Sequence, residues 1–296
     1  MGILLGKPNP APRNRGLILT EEDLIRFKQL PCLPARARAP QPLELFIDQI
    51  FHNRCQRGMA LMPPGTVDLI IADPPYNNGK DYGAGKLGRL SERQYEAWAD
   101  EWIRLAAHCL KPNGSIYICC DWQSSGMYQR VLAHYLKIKN RITWRREKGR
   151  GARTNWKNNM EDIWFAVGGP DYTFNLESVM VKKTVIAPYR DAQGQPKDWV
   201  EEKGERYRLT HPANIWHDIT VPFWSMRENT PHPTQKPEKL IERLLIASSN
   251  TGDLVLDPFM GSGTTAAVAR RHSRHFVGFE VNTNYLRLAL KRLSLP

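Results

Sequence analysis

Three short apolar runs, each closed by an acid, set the rhythm of this chain. Val67-Asp68-Leu69-Ile70-Ile71-Ala72 ends at Asp73, Leu254-Val255-Leu256 ends at Asp257, and His275 to Phe279 ends at Glu280. Continuous apolar runs of this length suit strands buried on both faces, as in a parallel sheet. Between them lie stretches with helical spacing. Trp98, Trp102, Ile103, Leu105 and Ala106 predict a helix that Pro112-Asn113-Gly114 stops. Met127–Leu136, Glu238–Ser249, Ala266–Arg271 and Tyr285–Leu293 predict four more helices, and their aromatics are expected in the core. Ser115–Cys120, Arg141–Trp144 and Asp162–Val167 predict further strands, and Leu43–Phe51 fits a strand or a short helix. Alternating strands and helices make this an α/β protein.

Three regions break that alternation. Residues 1–42 carry seven prolines (Pro8, Pro10, Pro12, Pro31, Pro34, Pro40 and Pro42), which allow no long element. One short helix is expected from Thr20, with Asp23 completing a capping box and Leu24, Ile25 and Phe27 as its apolar side. The rest of this N-terminal arm reads as a solvated segment packed on the body. Residues 77–90 hold four glycines together with Lys80, Lys86 and Arg89, the composition of a mobile basic loop over a site. Residues 147–230 mix cations (Lys148, Arg150, Arg153, Lys157, Lys182, Lys183, Arg190, Arg206, Arg208) with Trp156, Tyr172, Tyr189, Trp199 and Tyr207.

Charge adds a partner. The 296 residues carry a formal charge of +12, which points to a polyanion. Cations neutralise phosphates and interleaved aromatics can prop bases, so 147–230 reads as a nucleic-acid-recognition insertion, and Lys80, Lys86 and Arg89 as further contacts. The five cysteines show no Cys-x-x-Cys spacing, which argues against a zinc site or disulfide framework and for a reducing, cytoplasmic setting. Nothing resembles a signal peptide, and no apolar run reaches membrane-spanning length.

Chemistry concentrates at the acid-closed runs. After Asp257 come Pro258-Phe259-Met260-Gly261-Ser262-Gly263-Thr264-Thr265 and the helix from Ala266. Strand, glycine turn and helix is the layout of a nucleotide-binding unit, in which glycines admit a ligand close to the backbone. An acid ending the next strand, Glu280, is placed for ribose hydroxyls. The other motif is Asp73-Pro74-Pro75-Tyr76. Two prolines stiffen the turn and remove two N–H donors. The Asp73 carboxylate and the Pro74 C=O can then hold the two hydrogens of an exocyclic NH₂ while the Tyr76 ring stacks on its face.

Together these motifs resemble the S-adenosylmethionine-dependent DNA amino-methyltransferases of the β group. The resemblance covers roughly residues 43–295. Asp73–Tyr76 is similar to the family's catalytic motif and Asp257–Gly263 to its cofactor loop. His232-Pro233-Thr234-Gln235-Lys236-Pro237 matches the block before the cofactor strand, and the order of the three is that of the β group. The resemblance implies a class I methyltransferase fold: a doubly wound, mostly parallel, seven-stranded Rossmann-like sheet whose antiparallel edge pair is Arg141–Trp144 and Asp162–Val167. It implies a catalytic half at 43–146, a target-recognition insertion at 147–230 and a cofactor half at 231–296. S-adenosylmethionine is then the cofactor, held by His232, Thr234, Lys236, Asp257, Pro258, Phe259, Gly261, Ser262, Gly263, Thr264 and Glu280. Asp73, Pro74, Pro75 and Tyr76 act on a base flipped out of double-stranded DNA, most simply adenine N6, with no metal. A homodimer and a cognate restriction enzyme are compatible with this reading. Cytosine N4 is the alternative target, although Ser then more often stands in place of Asp73. RNA, a protein glutamine, and a catalytically silent DNA-binding subunit are the remaining alternatives. One departure stands out: the residue before Cys55, often an acid in the family, is Arg54.

Overall fold

The computed structural model describes residues 15–79, 89–146, 153–186, 189–195 and 197–295. In chain order the first half contains α1 (Glu21–Arg26), β1 (Gln49–His52), α2 (Cys55–Ala60), β2 (Val67–Ala72), α3 (Glu92–Cys109), β3 (Leu110–Cys120), α4 (Trp122–Tyr135), β4 (Lys137–Arg145) and β5 (Met160–Val167). The second half contains β6 (Val181–Thr184), β7 (Val200–Glu202), β8 (Glu205–Thr210), β9 (Ile215–Trp216), α5 (Glu238–Ser248), β10 (Leu254–Asp257), α6 (Thr264–Arg271), β11 (His275–Glu280) and α7 (Thr283–Ser294). The main sheet runs β1-β11-β10-β2-β3-β5-β4-β9. Its first five strands are parallel, β5 is antiparallel to both neighbours, and β9 pairs parallel with β4. The expected seven strands are therefore eight, because the two-residue β9 joins the edge. The β4–β5 pair is antiparallel as expected, but β5 lies inside the sheet, so the main sheet reaches into the 147–230 segment.

Helices cover both faces. On one, α2, α3 and α4 bury Met59, Tyr95, Trp102, Ala106, Tyr128 and Leu132 against β2, β3 and β10. On the other, α5, α6 and α7 bury Leu240, Leu244, Val268 and Leu286 against Ile71, Val255 and Phe276. The apolar runs are buried on both faces for that reason. Trp102 is fully buried, and truncating a core tryptophan to alanine costs about 3–5 kcal/mol. α3 begins at a Ser91 capping box with Gln94. It ends at Cys109, three residues before the expected Pro112-Asn113-Gly114 stop. Leu110 already pairs with Val67, and the register slips before Leu69 meets Ser115, so Pro112-Asn113-Gly114 forms a bulge in β3. Proline cannot donate to a ladder, and a bulge is where a strand tolerates it.

The arm is strapped to the body. Thr20 and Asp23 form the expected capping box on α1, and Asp23 also holds Lys291 of α7 at 2.5 Å. Leu24 packs with Leu19 against Tyr285 and Leu288, whereas Ile25 faces solvent, since adjacent residues cannot share one helix face. β6, β8 and β7 form a separate small sheet in that order, with largely exposed side chains. Among the described residues, no helix is long and apolar enough to cross a membrane.

Candidate active site

Both motif strands end at one place. β10 pairs with β2 through Val255–Leu69 and Leu256–Ile70, which puts Asp257 and Asp73 at adjacent strand ends. From β10 the chain winds through α6 to β11 on one side. From β2 it winds through α3 to β3 on the other. This is the topological switch point of the sheet, where open α/β folds bind ligands.

A cavity of about 580 Å³ opens there, running from Asp73 and Pro75 to Glu280. Trp98, Phe259 and Phe279 supply apolar wall, and His232, Thr234, Pro258 and Gly261 line it as well. Trp98, expected as core, packs on Phe259 with ring centroids 5.7 Å apart but turns an edge to this space. Arg54 and Glu101 line it too, so an acid reaches the cavity from α3. Glu280 accepts the Gly261 N–H at 2.8 Å and the Asn282 N–H at 2.7 Å. The Val281 N–H is a further backbone donor to it, and the lone-pair capacity that remains is open to a ligand's hydroxyls. Burial pushes its carboxyl up, opposed by those backbone donors.

Asp257 lies just beneath the cavity. It accepts from Thr265 Oγ1 at 2.6 Å and from the Phe259 N–H at 2.9 Å. Burial pushes its carboxyl up to about 7. A small cavity of about 30 Å³ joins Asp257, Ser262 and Thr264 to Asp73, Cys119 and Lys236. Gly263 lines neither cavity. Its φ of +80° opens α6, and a Cβ there would lie 2.7 Å from the Cβ of Ala289, so glycine is required for α6 to meet α7. His232 is kept neutral, its ring pushed down to about 3 by burial and by Lys236 and Arg292, and it meets the Tyr285 ring at 4.4 Å.

Lys236, expected at the cofactor, lines the small cavity and reaches the Asp73 end of the sheet. Its buried ammonium binds Asp73 Oδ1 at 2.6 Å and Glu161 Oε2 at 3.3 Å. It also donates to Tyr76 Oη at 3.3 Å and lies 5.4 Å from the centre of that ring. Tyr76 Oη stands 3.2 Å from both Asp73 Oδ1 and Glu161 Oε2. Arg146 closes the group on Glu161 Oε1 at 2.5 Å. Burial works against the lysine's charge, but the two carboxylates outweigh it and hold Lys236 above its ordinary value. Burial raises Asp73, and Lys236 opposes that rise. Pro74 is buried at the turn, and Pro75 C=O accepts from Tyr95 Oη at 3.0 Å.

Glu161 and Arg146 escaped the sequence reading. Glu161 opens β5, and because β5 runs antiparallel its first residues arrive at the end of the sheet where β2 and β10 finish. Of the expected DNA contacts, Arg89, Arg153, Lys157, Lys182 and Lys183 are exposed. Lys182 lies over the Tyr207 ring at 4.1 Å. Arg206 and Arg208 pair with Glu201 and Asp198. Lys80, Lys86, Lys148 and Arg150 lie outside the described residues.

An α/β sheet with a cavity lined by an acid and apolar rings at its switch point is the architecture of a cofactor-dependent group-transfer enzyme. The profile of the DNA methylase family N6_N4_Mtase matches residues 67–291, and the chain belongs to that family. It is 34% identical over 232 residues to the type II methyltransferase M.HpaI of Haemophilus parainfluenzae, covering 77% of this chain and 68% of that one. It is 34% identical over 253 residues to the DNA adenine methyltransferase YhdJ of Escherichia coli K12, covering 83% and 82%. The crystal structure of M1.HpyAVI with SAM superposes with a TM-score of 0.57 at 25% identity, covering 83% of this chain and 99% of that one.

Proposed function

We propose that the protein transfers a methyl group from S-adenosylmethionine to N6 of an adenine turned out of double-stranded DNA. The observation that carries this reading is that Asp73 and Pro75 of the Asp73–Tyr76 turn line the same cavity that Glu280 closes at its far end. The residues fit the cofactor. Glu280 keeps lone pairs for ribose hydroxyls, Phe259, Phe279 and Trp98 offer apolar wall, and Gly261 leaves the backbone open. Bound there, S-adenosylmethionine supplies an electrophilic methyl on a sulfonium that is already a good leaving group.

The protein's part is positioning. An aromatic amine is a poor nucleophile because its lone pair is delocalised into the ring. Asp73 and the Pro74 C=O accept hydrogen bonds from its two N–H groups, which turns the lone pair out of the ring plane, and Tyr76 supports the ring. When the N–C bond forms and the thioether leaves, one amine proton passes to Asp73 or to solvent. The base has to leave the stack because its amine is otherwise paired and shielded. The exposed cations of β6 and β8 and the exposed Lys157 and Arg153 are the proposed phosphate contacts. Asp at position 73 and the similarity to a protein named as an adenine methyltransferase both favour adenine over cytosine N4. The relative named as a type II methyltransferase supports a cognate restriction enzyme as partner. Sequencing modified bases in DNA from cells that make this chain should find N6-methyladenine in one sequence context. N4-methylcytosine there would establish the second reading, and unmodified DNA would overturn both.

A further inference from the structure

The charged group around Asp73 contains more than an amine clamp needs. Two carboxylates, Asp73 and Glu161, share one buried ammonium, Lys236, at 2.6 and 3.3 Å, and one phenol, Tyr76, at 3.2 Å each. Arg146 fixes the other Glu161 oxygen. Among the described residues, the other titratable groups facing this centre are Cys119 and Cys120 of β3, His232 before α5 and Asp257 of β10.

We propose that Glu161 is a positioning residue for the methyl transfer, dividing the Lys236 ammonium between two carboxylates so that Asp73 stays a strong acceptor for the target amine. The inference rests on the reading that Asp73 receives that amine. Asp73 Oδ1 already accepts from Lys236, and the single Tyr76 hydroxyl hydrogen lies between it and Glu161 Oε2, so an incoming N–H draws on the charge left on the same carboxylate. Were Asp73 the sole partner of a buried ammonium, most of that charge would be neutralised, and its hydrogen bond to the amine would weaken. Glu161 prevents this by offering Lys236 and Tyr76 a second anion. Arg146 keeps Glu161 from rotating away and balances its charge, so two anions meet two cations in a largely enclosed group. Glu161 is the second residue of β5, and its buried carboxylate is occupied by Lys236, Tyr76 and Arg146.

Charge and shape can be varied separately. Glu161→Gln keeps the shape and one acceptor for Arg146 but removes the charge. Glu161→Asp keeps the charge on a shorter stem. The duplex carries the sequence at which modified bases map. Single-turnover methyl transfer on it should fall ~10- to 100-fold in Glu161→Gln, a fraction of what a lost oxyanion-type donor costs. It should fall less in Glu161→Asp. Cofactor affinity by calorimetry, and base flipping read from 2-aminopurine fluorescence at the target, should both stay near wild type. A purely structural role predicts the reverse ranking, with the isosteric Gln variant the better enzyme. An Asp variant slower than the Gln variant, or a Gln variant at wild-type rate, overturns the inference while leaving the methyltransferase reading intact. Lys236→Gln added to Glu161→Gln removes the ammonium that would otherwise neutralise Asp73. The double variant should be faster than Glu161→Gln alone, and additive loss would also overturn the proposal. A wild-type protein that leaves the duplex unmethylated overturns the reading and the inference together.

Discussion

The ends of β2 and β10 place two buried acids on neighbouring strands, and their surroundings make them different groups. Asp73 faces a lysine ammonium at 2.6 Å and a second carboxylate beyond it. Among the described residues Asp257 accepts from neutral donors only, the Thr265 hydroxyl and the Phe259 N–H, and the charges that act on it are those of the carboxylates Asp73 and Glu280. Burial pushes both upward, but at Asp73 a cation opposes the rise, while Asp257 reaches about 7. The residue type is the same and the sheet position nearly so. The two acids thus differ in the charge standing opposite each. The cation comes from Lys236, outside the strands, and so the distinction is made by the loop before α5.

Breaking the first end should have the largest effect. Asp73→Ala should lower single-turnover methyl transfer by about 10²–10³-fold, since the lost acceptor acts mainly in the transition state. Cofactor affinity measured in parallel should change little. A variant near the wild-type rate would remove Asp73 from the chemistry. Asp73→Ser keeps an acceptor and should retain part of the activity.

The second end can be tested by pH. The folded protein holds a proton on Asp257 that the unfolded chain releases near 3.8. Stability contributed by this group is therefore present below that value and is lost as pH rises toward about 7. Asn at 257 carries no such proton. In urea unfolding, the wild type should lose ground against Asp257→Asn by roughly 2–4 kcal/mol across this window and no further above it. A pH-independent difference would mean the carboxyl ionises normally.

Glu280→Ala sharpens the contrast between clamp and cofactor wall. It should weaken S-adenosylmethionine binding by about 1–3 kcal/mol in calorimetry, the range for hydrogen bonds to a charged group, and leave Gly261 and Asn282 N–H groups without their acceptor. Unchanged affinity would place the ribose elsewhere. The smallest effect is expected far from both ends. Neutralising Lys182 and Lys183 together should reduce the salt slope of DNA binding by about one unit per lost phosphate contact. An unchanged slope would put the DNA on another face.

Much of this was legible before any coordinates. β2 runs over the expected residues, β10 and β11 end at the expected acids, and α5 and α6 lie within one or two residues of where apolar spacing put them. Those elements carry local signals: apolar runs, glycine turns and helical periods. Glu161 carried none. Its place depends on β5 running against β3, and pairing direction is a long-range property that two adjacent acids before an apolar run do not encode. Lys236 was visible in its motif, but the motif could not say that its side chain reaches the Asp73 end of the sheet. β9 was missed because two residues are too few to show alternation. The bulge at Pro112 was read as a helix end because its breaker residues serve both purposes.

The pairing of β1 with β11 also constrains how the molecule is made. Gln49 finds its partner at Val277, and β1 has no other neighbour in the sheet. On a ribosome adding about 5–20 residues per second, β1 emerges on the order of ten seconds or more before β11 exists. During that wait Ile50 and Phe51, almost fully buried in the finished fold, lack the β11 surface they close on. Assembly of that edge is thus a late event, and long-range pairing of this kind slows folding. The nascent chain is consequently most vulnerable to aggregation at its first strand, and a chaperone that shields the segment around Phe51 should raise the yield of soluble protein.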